Sequence, residues 1–502
     1  MSDEHFDFLV LGGGSAGYNA ASLAGKHVPR VAIVDGSAEL GGLCILRGCM
    51  PSKTLLYAAD VLQLAREGKA FGLNITRPQV DMPALHRRKK EIIGEFARHR
   101  RSQLESGRFR LFREHGKLGP DRTVVLSGGR TLSADRILLS TGSTVATPPV
   151  PGLEETPYWT SDDVLDLSEV PGSVIVLGGG VVATELAQFL ARIGSRVTLV
   201  QRSHHILSEM EPDMAAVVEE AFLAEGIELF TGTKIENIEG NEQGVSVQFL
   251  QGNRLVVRQA RHLFNALGRK PNTAGLGLEE AGVETLPSGH VKTDAYQRTT
   301  QAGVYAGGDC AGPYEIVHIA ILQGEVAARH SLGLEADPVD YGKILSVVFT
   351  DPQVAAVGRP EAELRERFGD RLRIAEFPFS DHGRSVLMEA KRGYVRLFSD
   401  PYDQRLLRAE CVGRDAGELI HPMATAVGGG MTVDDLLRAP WYHPTLSEIW
   451  TYPLEDLAEY APLSSPEPAK AEAPRATFET GEGGDEEEFR KSIWQLIDEP
   501  DE

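Results

Sequence analysis

Two short apolar runs, each closing on a cluster of glycines and opening a helical pattern, give the chain its plan. Phe6 to Leu11, broken only by Asp7, runs into Gly12-Gly-Gly14-Ser-Ala-Gly17 and then Tyr18-Asn-Ala-Ala. Ser173 to Leu177 runs into Gly178-Gly-Gly180-Val-Val-Ala183 and then a helical stretch from Thr184 to Ile193, about 166 residues downstream. Short apolar runs bounded by turn residues read as strands covered on both faces, and the longer periodic stretches after them as helices. The same strand, tight turn and helix is therefore predicted twice.

Other segments fall into place around these two copies. Arg136 to Gly142 and His262 to Gly268 are apolar strands in corresponding positions and read as paired crossing points between two domains, with Pro148-Pro149-Val-Pro151-Gly152 as a stiff linker. Thr299 to Asp309 is a short strand ending in Gly307-Gly308-Asp309, where the chain returns to complete the first domain. From about Tyr341 the texture changes, and Val347 to Gly358 and Gly393 to Phe398 read as strands of an α+β domain. Beyond Ala461 the chain turns rich in Pro, Glu, Ala and Gly until Gly484, the composition of a flexible tether. After it Phe489, Ile493, Leu496 and Ile497 fall on one helical face, which would dock on this protein or on a partner.

The glycine spacing has a geometric reason. The first glycine permits the tight turn, the second lets the backbone approach a pyrophosphate, and the third lets the helix close on the strand. A phosphate then sits on the N–H groups that open the helix. What ends the second strand of each unit tells the nucleotides apart. Asp35 stands 23 residues after Gly12 and can accept the hydroxyls of a ribose with a free 2'-hydroxyl, as in FAD. Gln201 stands at the same offset from Gly178 and is followed by Arg202, a missing carboxylate plus a guanidinium that leans toward the 2'-phosphate of NADP. Asp309 is placed to accept from a flavin ribityl hydroxyl.

Composition narrows the class. A chain of 502 residues is long enough for about three domains. No apolar run approaches the length of a membrane-spanning helix, and the acidic start from Met1 to Asp7 lacks the features of a secretory signal, so a cytoplasmic protein is expected. A net charge of -21 argues against a nucleic-acid partner, and the one basic stretch, His86 to Arg113, reads as a solvated helix face. Four cysteines cannot staple such a chain; two of them, Cys44 and Cys49, lie five apart and point to redox chemistry or metal binding, while Cys310 and Cys411 read as buried structural thiols.

Five residues of regular helix separate Cα atoms by roughly 8.6 Å, beyond disulfide reach, so Gly48 and Pro51 must supply an irregularity for the two sulfurs to meet. A thiolate at Cys49, near the start of the following helix, gains from the positive end of the helix dipole. Farther on, Tyr442-His443-Pro444-Thr-Leu-Ser-Glu448 offers an imidazole able to shuttle a thiol proton and a carboxylate to hold its tautomer.

The stretch Gly41-Gly-Leu-Cys44-Ile-Leu-Arg47-Gly-Cys49-Met-Pro51-Ser52-Lys53 resembles the active-site segment of the class I pyridine nucleotide-disulfide oxidoreductases, over about residues 5 to 460, and its ending looks most like dihydrolipoyl dehydrogenase. The resemblance implies FAD and NAD(P) as cofactors, NAD being the nucleotide of the branch it looks most like. It implies Cys49 as the flavin-side, charge-transfer thiolate and Cys44 as the sulfur that exchanges with substrate. Lys53 and Glu185 match an ion pair beside the flavin and nicotinamide. His443 and Glu448 match a dyad that reaches into the opposite subunit, which makes the enzyme a homodimer. The implied activity is oxidation of a dihydrolipoyl group, on a small molecule or a lipoyl domain. The alternative is NADPH-dependent reduction of another disulfide, a quinone or a metal. Departures are visible as well: Trp441 stands where dihydrolipoyl dehydrogenases carry a second histidine, and no cysteine pair follows Cys411 as mercuric reductases require.

The expected fold is α/β: two Rossmann-like domains, for FAD and NAD(P), plus a C-terminal α+β dimerisation domain. The FAD domain spans 1–147 with a return segment at 271–338; the NAD(P) domain spans 148–270, the interface domain 339–461, and an acidic tail 462–502. FAD contacts are expected at Gly12, Gly14, Gly17, Asp35, Gly142 and Asp309, and nicotinamide-nucleotide contacts at Gly178, Gly180, Ala183, Gln201, Arg202 and Gly268. No metal site is expected.

Overall fold

The computed structural model describes residues 4–464. The tail helix expected over Phe489, Ile493, Leu496 and Ile497 lies outside them.

Phe8–Leu11 is the centre of a five-stranded parallel sheet, ordered Val304–Ala306, Ile137–Leu139, Phe8–Leu11, Val31–Val34, Arg110–Phe112. Strands this apolar are stable only when both faces are covered, and helix Ser15–Ala24, packed on Val317–Ser331, covers one face. The return of the chain at Val304–Ala306 closes the sheet against Ile137–Leu139. The first run is not one strand, however. Asp7 interrupts it: its carboxylate accepts from the Arg30 backbone N–H at 2.9 Å and the Arg30 guanidinium at 2.6 Å, and Glu4–Phe6 on its far side pairs instead with Thr131–Ala134.

The second copy repeats the plan. Ser173–Leu177 sits between Arg196–Val200 and His262–Asn265 in a parallel sheet whose outer strand is Glu228–Phe230. Its helix, Val181–Ile193, begins directly after Gly180, three residues earlier than the sequence pattern suggests. The two crossings do meet: Ser143–Val145 pairs antiparallel with Arg269–Pro271.

From Leu345 the chain builds a five-stranded antiparallel sheet ordered Leu345–Val348, Gln353–Gly358, Leu406–Gly413, Tyr394–Ser399, Arg373–Pro378. Helices between Ala416 and Ala458 cover it, with Trp450 fully buried among Leu419, Ile449 and Leu454.

What fixes the three parts around one region is helix Cys49–Glu67, which lies along Val181–Ile193. Leu55, Leu56 and Ala59 share an apolar core with Leu186, Phe189 and Val348. Beside that core the Arg192 guanidinium, 3% exposed, binds Asp60 at 2.6 Å, Glu225 at 2.6 Å and Asp351 at 2.8 Å. One cation thus gathers carboxylates from all three parts of the chain.

Candidate active site

The Gly-rich turns have the shape the spacing predicts. Gly12 has φ +103, and a Cβ there would lie 2.3 Å from the Ser140 carbonyl oxygen; one at Gly17 would lie 2.0 Å from the Gly12 carbonyl oxygen. Gly14, between them, faces open space. No side chain caps the helix that begins at Ser15, so its first N–H groups are unspent. The second copy matches: Gly178 has φ +107 and is closed against Ala266, Gly180 faces open space, no side chain caps Val181–Ile193, and Ala183 is fully buried at the third position. A cradle that is open only where a phosphate would approach, on an uncapped helix end, fits a dinucleotide at each turn.

Asp35 and Gln201 occupy the same place in the two units, each against the middle glycine of its turn. Asp35 Oδ2 accepts from Gly13 N–H at 2.9 Å, and Oδ1 accepts from Ser37 N–H at 2.9 Å. The Ser37 hydroxyl donates to Oδ1 as well, so it is Oδ2 that keeps a lone pair for a ribose hydroxyl. Gln201 is buried, with its side chain on Gly179, and Arg202 beside it is exposed. Asp309 Oδ2 accepts from Ser143 Oγ at 2.7 Å, and Arg269 Nε donates to that hydroxyl at 2.8 Å, so Asp309 stands where the two crossing strands join. Gly142 and Gly268, with φ +72 and +114, turn the chain after each crossing strand.

The cysteine segment sits directly on the first turn. Gly42 has φ +75, and a Cβ there would lie 2.9 Å from Gly14 Cα. Cys44 lies in helix Gly42–Arg47 and Cys49 opens helix Cys49–Glu67; the break between them is at Gly48, while Pro51 lies within the first turn of the second helix and interrupts nothing. That break brings the sulfurs together. Both are free thiols here, and Cys44 hydrogen-bonds to Cys49. The bond received from Cys44, with the Lys53 ammonium, holds Cys49 down at about 7, whereas that same hydrogen bond and burial push Cys44 far up. The pair therefore carries its first negative charge on Cys49.

Lys53 Nζ bonds both oxygens of Glu185, at 3.1 and 2.8 Å, and lies 4.7 Å from the centre of the Phe349 ring. Glu185 Oε1 also accepts from Phe349 N–H at 2.9 Å. Sequence reasoning missed this last partner.

His443 and Glu448 form a contact pair, with His443 Nδ1 2.9 Å from Glu448 Oε2. The imidazole is 79% exposed and the carboxylate 10%. Behind Glu448 stands a second imidazole the sequence did not single out: His382 Nε2 lies 3.5 Å from Glu448 Oε1, and burial holds this histidine below its usual range, though Glu448 opposes the shift. Residues 382 to 451 supply these contacts to Glu448, so the dyad stands on the C-terminal domain with its imidazole facing outward.

Two further expectations turn out differently or in more detail. The basic stretch is not a uniformly solvated face: Lys89 is buried and bonds the Leu165 carbonyl and Asp166, and Arg100 lies half-buried over the Tyr18 ring. Cys310 and Cys411 are fully buried, and burial raises both thiols. Glu211, Glu361 and Glu410 converge, yet the Arg396 guanidinium lies against Glu361 and Glu410, which meets their charge without an ion. No helix among the described residues is long and apolar enough to cross a membrane.

Comparison with known proteins agrees with this geometry. Residues 6–324 match the family described as pyridine nucleotide-disulphide oxidoreductase, and residues 344–453 match its dimerisation domain. The chain is 32% identical over 447 residues to a mercuric reductase of Staphylococcus aureus, covering 89% of this chain and 81% of that protein. It is also 32% identical over 452 residues to a dihydrolipoyl dehydrogenase of Chlamydia muridarum, covering 89% and 96%. Among solved structures, LpdA from Mycobacterium tuberculosis superposes with a TM-score of 0.80 at 29% identity, covering 90% of this chain and 99% of that one. The HOCl-induced flavoprotein disulfide reductase RclA from Escherichia coli gives 0.79 at 25% identity, covering 90% and 99%.

Proposed function

The chain belongs to the pyridine nucleotide-disulphide oxidoreductase family, and within it we propose that it moves electrons between a nicotinamide and a thiol/disulfide substrate through Cys44 and Cys49. Its cofactors are FAD and NAD(P), and its dimerisation domain supports a homodimer. The observation that carries the reading is the break at Gly48, which sets Cys44 in one short helix against Cys49 at the start of the next, with Lys53 one turn on.

FAD, when bound, supplies the two-electron relay between nicotinamide and the sulfurs. The chain's own residues do the rest. In the reducing direction Cys44, as thiolate, attacks a substrate disulfide, forms a mixed disulfide and releases one substrate thiolate. Cys49 then attacks the Cys44 sulfur, closes the internal disulfide and releases the second thiolate. His443, oriented by Glu448, takes the Cys44 proton and returns it to the leaving sulfur. Because its imidazole faces outward on the dimerisation domain, the dyad serves the sulfurs of the opposite subunit.

The finer reading is oxidation of a dihydrolipoyl group toward NAD(P). It is supported by the Pro51-Ser52-Lys53 ending and by the near full-length match to a protein named dihydrolipoyl dehydrogenase. Gln201 with Arg202 favours a second reading, NADPH-driven reduction of another disulfide. Stopped-flow mixing of the yellow holoenzyme with dihydrolipoamide, NADH and NADPH decides between them. Fast loss of visible flavin absorbance with dihydrolipoamide is expected on the first reading. No reaction with it, beside fast reduction by NADPH, overturns the first in favour of the second.

A further inference from the structure

Arg100 is a cation without a counter-ion. Among the described residues it makes no ion pair, and its Nε and Nη1 are buried without a hydrogen-bond partner. A guanidinium in that state is costly, because its N–H groups have lost water and gained nothing in exchange. Its neighbours make this specific. The group lies 4.0 Å over the Tyr18 ring, which covers one face, and of its nitrogens Nη2 is the one not buried. Helix Met82–Leu104, which carries it, packs on helix Gly42–Arg47, which carries Cys44, and Cys44 lies close enough to bear on the acidity of Arg100. One turn from Tyr18 and from Arg100, the Ser22 hydroxyl and the Gln103 side-chain oxygen Oε1 are likewise buried without partners. Unspent polar atoms thus concentrate on two helices, Ser15–Ala24 and Met82–Leu104, the second of which packs on the helix of Cys44.

We propose that Arg100 is the anion-reading residue of the substrate cleft, and that the thiol or disulfide presented to Cys44 carries a carboxylate. The proposal rests on the reading of Cys44 as the substrate-facing sulfur. It ranks thiol substrates: free dihydrolipoate, which keeps its carboxylate, pairs with Arg100, whereas its neutral amide reacts through the same sulfurs without that contact. A planar guanidinium edge and a carboxylate suit one another in geometry as well as charge.

The test labels the reduced holoenzyme with 3-maleimidopropionate and, separately, N-ethylmaleimide, and follows each thiol by peptide mass. Both reagents form the same bond, the sulfur adding across the maleimide double bond while a proton goes to carbon; they differ in a carboxylate. We expect the anionic reagent to label Cys44 about tenfold faster than the neutral one, the size of one charge-assisted hydrogen bond. Arg100→Met should bring the ratio near one and Arg100→Lys should keep most of it. Should Arg100→Met misfold, raising the salt from low to high ionic strength on the unaltered protein must still depress the ratio. Cys44 labelled without charge selectivity, or a ratio unchanged in Arg100→Met, overturns the proposal. Labelling that falls on Cys49 and spares Cys44 overturns instead the assignment of the outward sulfur, so the two failures are told apart.

Discussion

Lys53 Nζ lies 2.8 Å from Glu185 Oε2, and the two are unequally placed: the carboxylate is 4% exposed, the ammonium side chain 32%. Removing the cation therefore strands a buried charge, while removing the anion frees an ammonium that reaches water. Lys53→Met should cost about 3 kcal/mol, the range for breaking a buried pair, and Glu185→Gln clearly less. Thermal denaturation of both variants with FAD in excess checks the order; equal losses would contradict it.

Lys53 also bears on acidity. The hydrogen bond from Cys44, then the Lys53 ammonium, set Cys49 near 7. Its thiolate is thus present above that pH and lost below it, so the long-wavelength thiolate-to-flavin absorbance of the reduced holoenzyme should rise through pH 7. Cys44→Ala removes the donor and Lys53→Met the cation, and each should move the inflection upward, Cys44→Ala the further. An inflection that stays put in Cys44→Ala would exclude the hydrogen bond as the main cause.

The dyad gives a prediction confined to one half of the cycle. Glu448 holds His443 through Nδ1 at 2.9 Å and is itself backed by fully buried His382. Glu448→Gln keeps the shape but removes the charge that stabilises an imidazolium. Thiol/disulfide turnover should fall about 100-fold or more, the scale of general acid–base catalysis, while reduction of the flavin by NAD(P)H keeps its rate. Rapid-mixing measurement of the two half-reactions separates them; equal slowing of both would speak for simple misfolding.

These residues also mark how far the sequence could be read. Gly12, Gly178 and the cysteine segment were legible because their demands are local: a positive φ, a close approach, a break at Gly48. Glu185 and His443 were legible through motif order. The Phe349 N–H on Glu185 and His382 behind Glu448 were not, since each joins segments far apart in the chain and involves a backbone group or a lone histidine with no motif around it. Asp7 looked like a flaw in one strand because its partner, Arg30, is a sheet neighbour. Lys89 and Arg100 were lost in a run of like charges. The signal was there in the spacing: they are eleven residues apart, about three helical turns, and share a face with buried Leu85 and Leu104.

Nucleotide choice follows from the difference between Asp35 and Gln201, two residues at one structural position. A carboxylate there accepts the ribose hydroxyls and repels a 2'-phosphate; an amide oxygen accepts more weakly and carries no charge to repel the phosphate, and Arg202 next to it adds positive charge. Gln201→Glu should raise the NADH to NADPH ratio of kcat/KM about tenfold, on the order of one charged contact. Arg202→Leu should lower the NADPH value more than the NADH value, because only NADPH offers a 2'-phosphate to the guanidinium. Combined, the two changes act on adjacent contacts to one sugar, so their effects should fall short of additive. Steady-state kinetics with both nucleotides measures all three variants. A Gln201→Glu enzyme whose ratio does not move would mean that specificity is decided elsewhere on the second Gly-rich turn.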